Sequence, residues 1–166
     1  PGSRWLMANH YDGLDSWSFF GGFGIDAGNN SGYLNDLWEY SLQTNEFTWL
    51  AGDSLRNGGG EYGSKNVYSS LNTPGARRYF SFESINDSIL YLYGGHGYIN
   101  SSGGKRELSD LWVYNSNISK WKWVKGSSSS QDLINRNSRY EFNLSSNPGS
   151  RRYAPMMVTD ENRVCI

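Results

Sequence analysis

Leu108-Ser109-Asp110-Leu111-Trp112-Val113-Tyr114 has a near copy 74 residues upstream, Leu34-Asn35-Asp36-Leu37-Trp38-Glu39-Tyr40. Each copy places an aromatic-rich tetrapeptide, Leu-Trp-x-Tyr, directly after an aspartate. A glycine pair precedes each copy, Gly21-Gly22 and Gly94-Gly95. A tryptophan and a glycine follow each, Trp49 with Gly52 and Trp123 with Gly126. The opening Pro1-Gly2-Ser3-Arg4 returns as Pro74-Gly75-Ala76-Arg77 and again as Pro148-Gly149-Ser150-Arg151. The offset between partners is 73 or 74 residues throughout. Self-similarity at a fixed period marks a repeat architecture, in which each unit stacks on its neighbours to bury its apolar face. The boundaries this implies are 1–73 for a first unit, 74–147 for a second, and 148–166 for the start of a third.

Composition sets the class. Aromatic residues make up 16% of the chain, with seven Trp and twelve Tyr, and there are 20 Gly. Short aromatic segments separated by glycine-rich turns predict an all-β protein. With 15 basic and 16 acidic residues the charge is balanced and forms no basic stripe, which argues against a nucleic-acid partner. No apolar run approaches the roughly 20 residues of a membrane-spanning helix. Cys165 is the only cysteine, so neither a disulfide scaffold nor a cysteine-built metal site is expected, and no metal or cofactor is assigned.

The second unit reads as four strands. Residues 78–84 alternate aromatic and polar side chains, as a strand with one buried face does. After a turn at Asn86-Asp87, Ile89-Leu90-Tyr91-Leu92-Tyr93 is continuously apolar or aromatic, which predicts a strand covered on both faces. Leu111 to Tyr114 forms the third strand. Lys120 to Val124 alternates cleanly and forms the fourth. The first unit follows the same plan at residues 4–10, 17–20, 37–40 and 47–50. Four short strands joined in sequence make one antiparallel sheet, and radial repetition of such sheets gives a β-propeller.

A glycine pair after an apolar strand, then Asp-Leu-Trp-x-Tyr, then a tryptophan farther on, resembles the kelch repeat. The intervening text, Asn57 and Glu61-Tyr62-Gly63 followed by Asn72-Thr73-Pro74-Gly75-Ala76-Arg77, is similar to that of long-loop kelch proteins, a superfamily that includes the central domain of galactose oxidase. The resemblance implies four-stranded kelch blades, about two and a quarter of them in this chain. It also implies roles. Gly21, Gly22, Gly94 and Gly95 let a strand pass close to its neighbours. Trp38, Trp49, Trp112 and Trp123 are packing residues, with Trp38 and Trp112 between adjacent blades. Asp36 and Asp110 are expected to accept backbone hydrogen bonds at the start of the third strand.

Twenty residues separate proline from the glycine pair in both full units, which puts a third pair at 168 and 169, past Ile166. The expectation is a segment of a longer polypeptide, roughly 300–600 residues at this period for four to eight blades. The alternative is a short chain whose copies assemble into a ring. Partners on this reading include further blades of the same polypeptide or other copies of the chain.

Strand direction separates two faces. The first-to-second and third-to-fourth turns lie on one face and are short. The second-to-third connections, residues 23–33 and 96–107, and the fourth-to-first connections, residues 51–73 and 125–147, lie on the other and are long. Long loops on a rigid scaffold carry binding function. Tyr33, Tyr62, His96, Tyr98, Arg139 and Tyr140 are the candidate binding residues of that face, for a protein or glycan partner. The competing readings are aromatics that pack the loops onto the blades and a histidine that caps a turn. The recurrent Arg4, Arg77 and Arg151 could face a ligand as a ring of charge; an ion pair between blades is favoured.

Asn29, Asn86, Asn100, Asn117 and Asn143 each begin an Asn-x-Ser sequon, all in expected loops or turns. Glycans there would make the protein secreted, at the cell surface or outside the cell; chance in an Asn- and Ser-rich chain, with a cytoplasmic protein, is the competing reading. No nucleophile elbow, histidine cluster or carboxylate pair is legible. The reading is therefore a non-catalytic binding or structural module. One alternative is a copper oxidase like galactose oxidase, although neither His96 nor Cys165 sits in a motif of that family. The other is a subunit of an extracellular fibre or wall.

Overall fold

The structure is a computed structural model that describes residues 1–86, 88–129, 149–159 and the strand pair 164–165. Arg139, Tyr140 and the Asn143 sequon lie outside the described residues, as do Asp87 and most of the second fourth-to-first connection.

The first sheet holds β1 (Arg4–Trp5), β2 (Ala8–Tyr11), β3 (Ser16–Ile25), β4 (Ser31–Ser41) and β5 (Glu46–Ala51). All pairings are antiparallel, in the order β1-β3-β4-β5, with β2 beside the other end of β3. The chain continues through β6 (Tyr68–Ser69), β7 (Arg77–Arg78), β8 (Ser81–Asn86), β9 (Ile89–Tyr93), β10 (His96–Tyr98), β11 (Lys105–Glu107), β12 (Leu111–Asn115), a 3₁₀ turn at Ser116–Ile118 and β13 (Lys120–Lys125). The second large sheet has the order β6-β13-β12-β9-β8, and β7, β10 and β11 form a small sheet of their own. The third unit begins as a hairpin of β14 (Met157–Val158) with β15 (Val164–Cys165).

These are partial propeller blades. Phe20 and Leu37 of the first sheet share one core with Phe80, Phe82, Leu92, Trp112 and Trp121 of the second. The Phe20 ring meets Phe80 and Trp121 edge-on, with centroids 5.5 and 5.6 Å apart. On the opposite face, Tyr93 packs with Ala154 and Met156 of the third unit. β9 is thus covered on both sides, as its continuous apolar sequence predicts. The first strands of successive units converge, since β2 contacts β8 and β8 contacts β14.

Three expectations are corrected. The first strand of each unit is not continuous. It breaks at Leu6 (φ 57°) and at Tyr79 (φ 61°), and Tyr153 (φ 53°) repeats the break in the third unit. Side chains rarely occupy this left-handed region. The break carries the chain over the second glycine of each pair, where a Cβ on Gly22 would lie 2.7 Å from the Trp5 carbonyl oxygen and one on Gly95 2.8 Å from that of Arg78.

Secondly, the second-to-third connections are hairpins. In the first unit Phe23 pairs with Tyr33, Gly24 with Gly32 and Ile25 with Ser31. In the second, His96 pairs with Glu107, Gly97 with Arg106 and Tyr98 with Lys105. β1 and β7 add a third strand to each, so the backbone groups of these segments are satisfied by pairing.

Thirdly, the connection at residues 51–73 is not a free loop. It crosses to the second sheet and pairs there as β6 on the outer edge of β13, Tyr68 opposite Lys122 and Ser69 opposite Trp121.

Candidate interaction face

The recurrent arginine anchors the base of this face. Arg77 and Asp110 are fully buried and form a two-pronged ion pair, both contacts 2.7 Å, while Arg77 Nη1 also donates to the Gly94 carbonyl at 3.1 Å. Arg4 and Asp36 repeat it at 2.6 and 2.7 Å, with Arg4 Nη1 donating to Gly21 at 3.3 Å. Both partners of each pair belong to one unit. The ion pair between blades expected from recurrence is therefore an ion pair within a repeat. It ties the first strand to the glycine pair and to the aspartate before the third strand.

Among the described residues, the hydrogen bonds that reach both aspartates come from side chains, where the resemblance implied backbone donors. Beyond the guanidinium, Asp36 accepts from the Trp38 indole at 2.6 Å and Asp110 from the Trp112 indole at 2.7 Å. Burial works against ionisation of Asp110, but the charge and hydrogen bonds of Arg77 prevail and hold its carboxyl below the usual value.

The hairpins carry Tyr33, His96 and Tyr98 to one place. Tyr33 is buried at the junction of the two units. Its ring centroid lies 5.7 Å from that of His96 and 6.0 Å from that of Tyr98, edge-on to the latter. Its hydroxyl is 3.1 Å from His96 Nδ1. The Arg78 guanidinium sits 5.0 Å and the Lys105 ammonium 5.1 Å from the centre of the Tyr33 ring, on β7 and β11. Cations over an aromatic face are attracted by its quadrupole, by about 0.5–1 kcal/mol at exposed sites and more when desolvated. Burial raises the Tyr33 phenol above its usual value. Burial also lowers His96; Glu107 pulls it up, and Arg152, Arg78 and Lys105 push it down again. A neutral imidazole therefore faces a neutral phenol, ringed by cations.

Tyr62 is not with them. It is buried between Trp112 and Trp123 and donates its hydroxyl hydrogen to Asp110 Oδ2 at 2.7 Å. Of the sequon asparagines described, Asn29, Asn86 and Asn117 are exposed and Asn100 is half-buried. Asn29 sits in the first hairpin turn (φ 62°) and Asn117 in the 3₁₀ turn, its backbone N–H donating to the Asn115 side chain at 3.0 Å.

Sequence reasoning passed over a second feature of this face. The two residues after each recurrent arginine stand at the break in the first strand, where the units converge. They are Trp5-Leu6, Arg78-Tyr79 and Arg152-Tyr153. Trp5 and Tyr153 are exposed, and Tyr79 and Tyr153 lie 4.5 Å apart, centroid to centroid. Arg152 donates from Nε to Glu107 at 2.6 Å. The available signal was the doublet Arg77-Arg78-Tyr79 returning as Arg151-Arg152-Tyr153.

Residues 77–128 match the family described as the kelch motif. The match runs from the start of β7 past the end of β13, one blade with its small upper sheet. No curated protein matches the chain. Kelch repeats build propellers that serve as protein-interaction modules, in general without catalysis.

Proposed function

We propose that this kelch-repeat protein binds a polypeptide partner through the face that carries the hairpins and the breaks in the first strands. The row Trp5, Arg78-Tyr79 and Arg152-Tyr153 supports this reading most directly. It brings the exposed rings of Trp5 and Tyr153, with Arg78 and Arg152, to two adjoining repeat positions in successive units. Tryptophan, tyrosine and arginine dominate the energetic centres of protein interfaces, because they offer large contact area with few rotatable bonds and several donors. The Tyr33, His96 and Tyr98 cluster lies behind this row as its support. Lys105 is exposed beside it, which favours a partner carrying a carboxylate as well as apolar side chains. A protein fits better than a glycan because the aromatics stand with arginines along a row rather than around a pocket.

The protein acts outside the cell or at its surface on this reading. Exposure of Asn29, Asn86 and Asn117 supports it, since an acceptor must be reached by the glycosylating enzyme. Mass spectrometry of protein from its native source tests it; unmodified asparagine at every sequon removes the argument.

The binding reading is tested by immobilising the chain and identifying what it retains from native extract. Trp5→Ala with Tyr153→Ala should abolish retention. Leu42→Ala with Ile118→Ala, exposed residues beyond β4 and in the 3₁₀ turn, should preserve it. Equal loss in both variants, or loss in neither, would overturn the proposal.

A further inference from the structure

In the second and third units the residue after the recurrent arginine is a second arginine, Arg78 and Arg152. Each leans back on the hairpin of the unit before it, and each meets there the residue that directly precedes Leu-x-Asp. For Arg152 that residue is Glu107, which accepts from Nε at 2.6 Å. For Arg78 it is Tyr33, whose ring centre lies 5.0 Å from the guanidinium. The backbone setting of the two acceptor positions is the same. Glu107 pairs across its hairpin with His96, and Tyr33 pairs with Phe23, one repeat earlier.

Arg78 is therefore the member of the pair without a carboxylate. Its guanidinium lies against three rings, Phe23, Tyr33 and Tyr79, at 5.9, 5.0 and 4.7 Å from their centres. It makes no hydrogen bond or ion pair with any described residue, and its Nε is buried without an acceptor. A buried polar group left without a partner calls for an explanation. The Lys105 ammonium stands 5.1 Å from the centre of the same Tyr33 ring, so two cations share this junction. Its one carboxylate neighbour on the hairpin, Glu107, is already engaged by Arg152.

We infer that Arg78 receives a glutamate side chain from a polypeptide partner, completing at the first junction the pair that Glu107 completes at the second. The planar fork of a guanidinium matches a carboxylate with two parallel hydrogen bonds. Rings against it hold the fork in place and exclude water, which strengthens a charged hydrogen bond. Half-burial of Arg78 leaves part of the side chain within reach of a ligand. Glu107, on the strand that carries Lys105, repels a second negative charge and so weighs against a phosphate dianion. The site's walls, residues 23–33, 77–79 and 96–107, all belong to the first two units. The identity of the occupant rests on the binding reading proposed above; the test below needs no native partner, so failure of retention and failure of this inference are separate results.

The test titrates the full chain with acetyl-Ala-Glu-Ala-amide at low salt and follows the Arg78 side-chain N–H signals by NMR. They should shift saturably at millimolar peptide. The glutamine peptide should bind at least about tenfold more weakly, for want of charge on its side of the hydrogen bonds, and inorganic phosphate should bind more weakly than the glutamate peptide. Arg78→Gln, at a half-buried position, should abolish the perturbation of the neighbouring His96 and Tyr79 signals while leaving the fold intact. Tyr33→Glu places a carboxylate where the second junction has one, and should pair with Arg78 and exclude the peptide. No saturable shift overturns the inference, as does equal binding of the glutamine peptide, phosphate binding as tightly as the glutamate peptide, or unchanged binding by Arg78→Gln.

Discussion

Tyr62 donates a 2.7 Å hydrogen bond to Asp110 from 48 residues away, and the two residues belong to different repeats. Asp110 Oδ2 thereby receives three donors, from Tyr62, Arg77 and Trp112. Burial and the Asp110 charge together push the phenol well above its usual range, so it stays protonated and keeps donating. Tyr62→Phe removes one hydrogen bond to a charged acceptor and should cost about 1.5–3 kcal/mol. Tyr62→Ala also opens a cavity between two tryptophans and should cost about 3–5 kcal/mol, read by urea unfolding.

The ion pair beneath it should be costlier to break than its counterpart in the first unit. Asp110→Asn leaves a fully buried guanidinium without its counter-charge, a change worth about 3–5 kcal/mol. Asp36→Asn should cost less, because its pair is not fully buried. Acid unfolding gives a second measure. The Asp110 carboxyl is held below its unfolded value of 3.8, so its stabilisation is complete above that pH and declines as pH falls below it. Asp110→Asn should flatten that part of the pH profile.

The glycine pair divides its work, and substitution should show it. A Cβ on Gly21 would lie 2.8 Å from the Leu34 carbonyl oxygen and 3.0 Å from that of Arg77 in the next unit; one on Gly94 would lie 2.9 Å from the Arg151 oxygen. The first glycine thus marks where the following unit's backbone approaches, and the second where the unit's own first strand turns. Gly13 is also left-handed (φ 85°) but has open space around it. Gly13→Ala should therefore show the backbone cost alone, about 1–2 kcal/mol. Gly21→Ala and Gly94→Ala should exceed it in thermal melts.

His96 should confer a pH dependence near neutrality. Its folded value lies below the unfolded 6.5, so the unfolded state binds the proton more readily. The stabilisation is complete above pH 6.5 and is lost as pH falls through the lower folded value. His96→Gln should remove that slope in the melting temperature between about pH 5 and 7, the range where an ordinary histidine titrates.

The parts legible in the sequence are those whose cause is local. Alternation at Lys120 to Val124 and the unbroken apolar run of β9 stated both fold and burial, because a strand's side-chain period is two. The glycine pairs showed themselves because only glycine tolerates such close approach. What stayed hidden depends on distant partners. Leu6 and Tyr79 adopt left-handed backbone although nothing in either residue type asks for it; the crossing beneath them imposes it. Residues 23–33 and 96–107 read as loops because their third strands, β1 and β7, come from elsewhere in the sequence. The recurrence of arginine and aspartate was plain, but recurrence alone could not say whether the pair lay within a unit or between units. Tyr33, His96 and Tyr98 looked alike as loop residues. Tyr62 looked the same and lies buried in another blade's outer edge.

β6 has a consequence for anyone who cuts this chain. The segment duplicated in the sequence runs from one Pro-Gly-x-Arg to the next, but the segment that folds together in the second unit is shifted toward the amino terminus, because that blade takes its outermost strand and an interior tyrosine from the residues before it. A fragment that starts at Pro74 contains a whole repeat and lacks Tyr62 and β6. One that starts at Asn57 breaks the repeat and keeps both. The natural scissors mark in the sequence is thus the wrong place to divide the molecule.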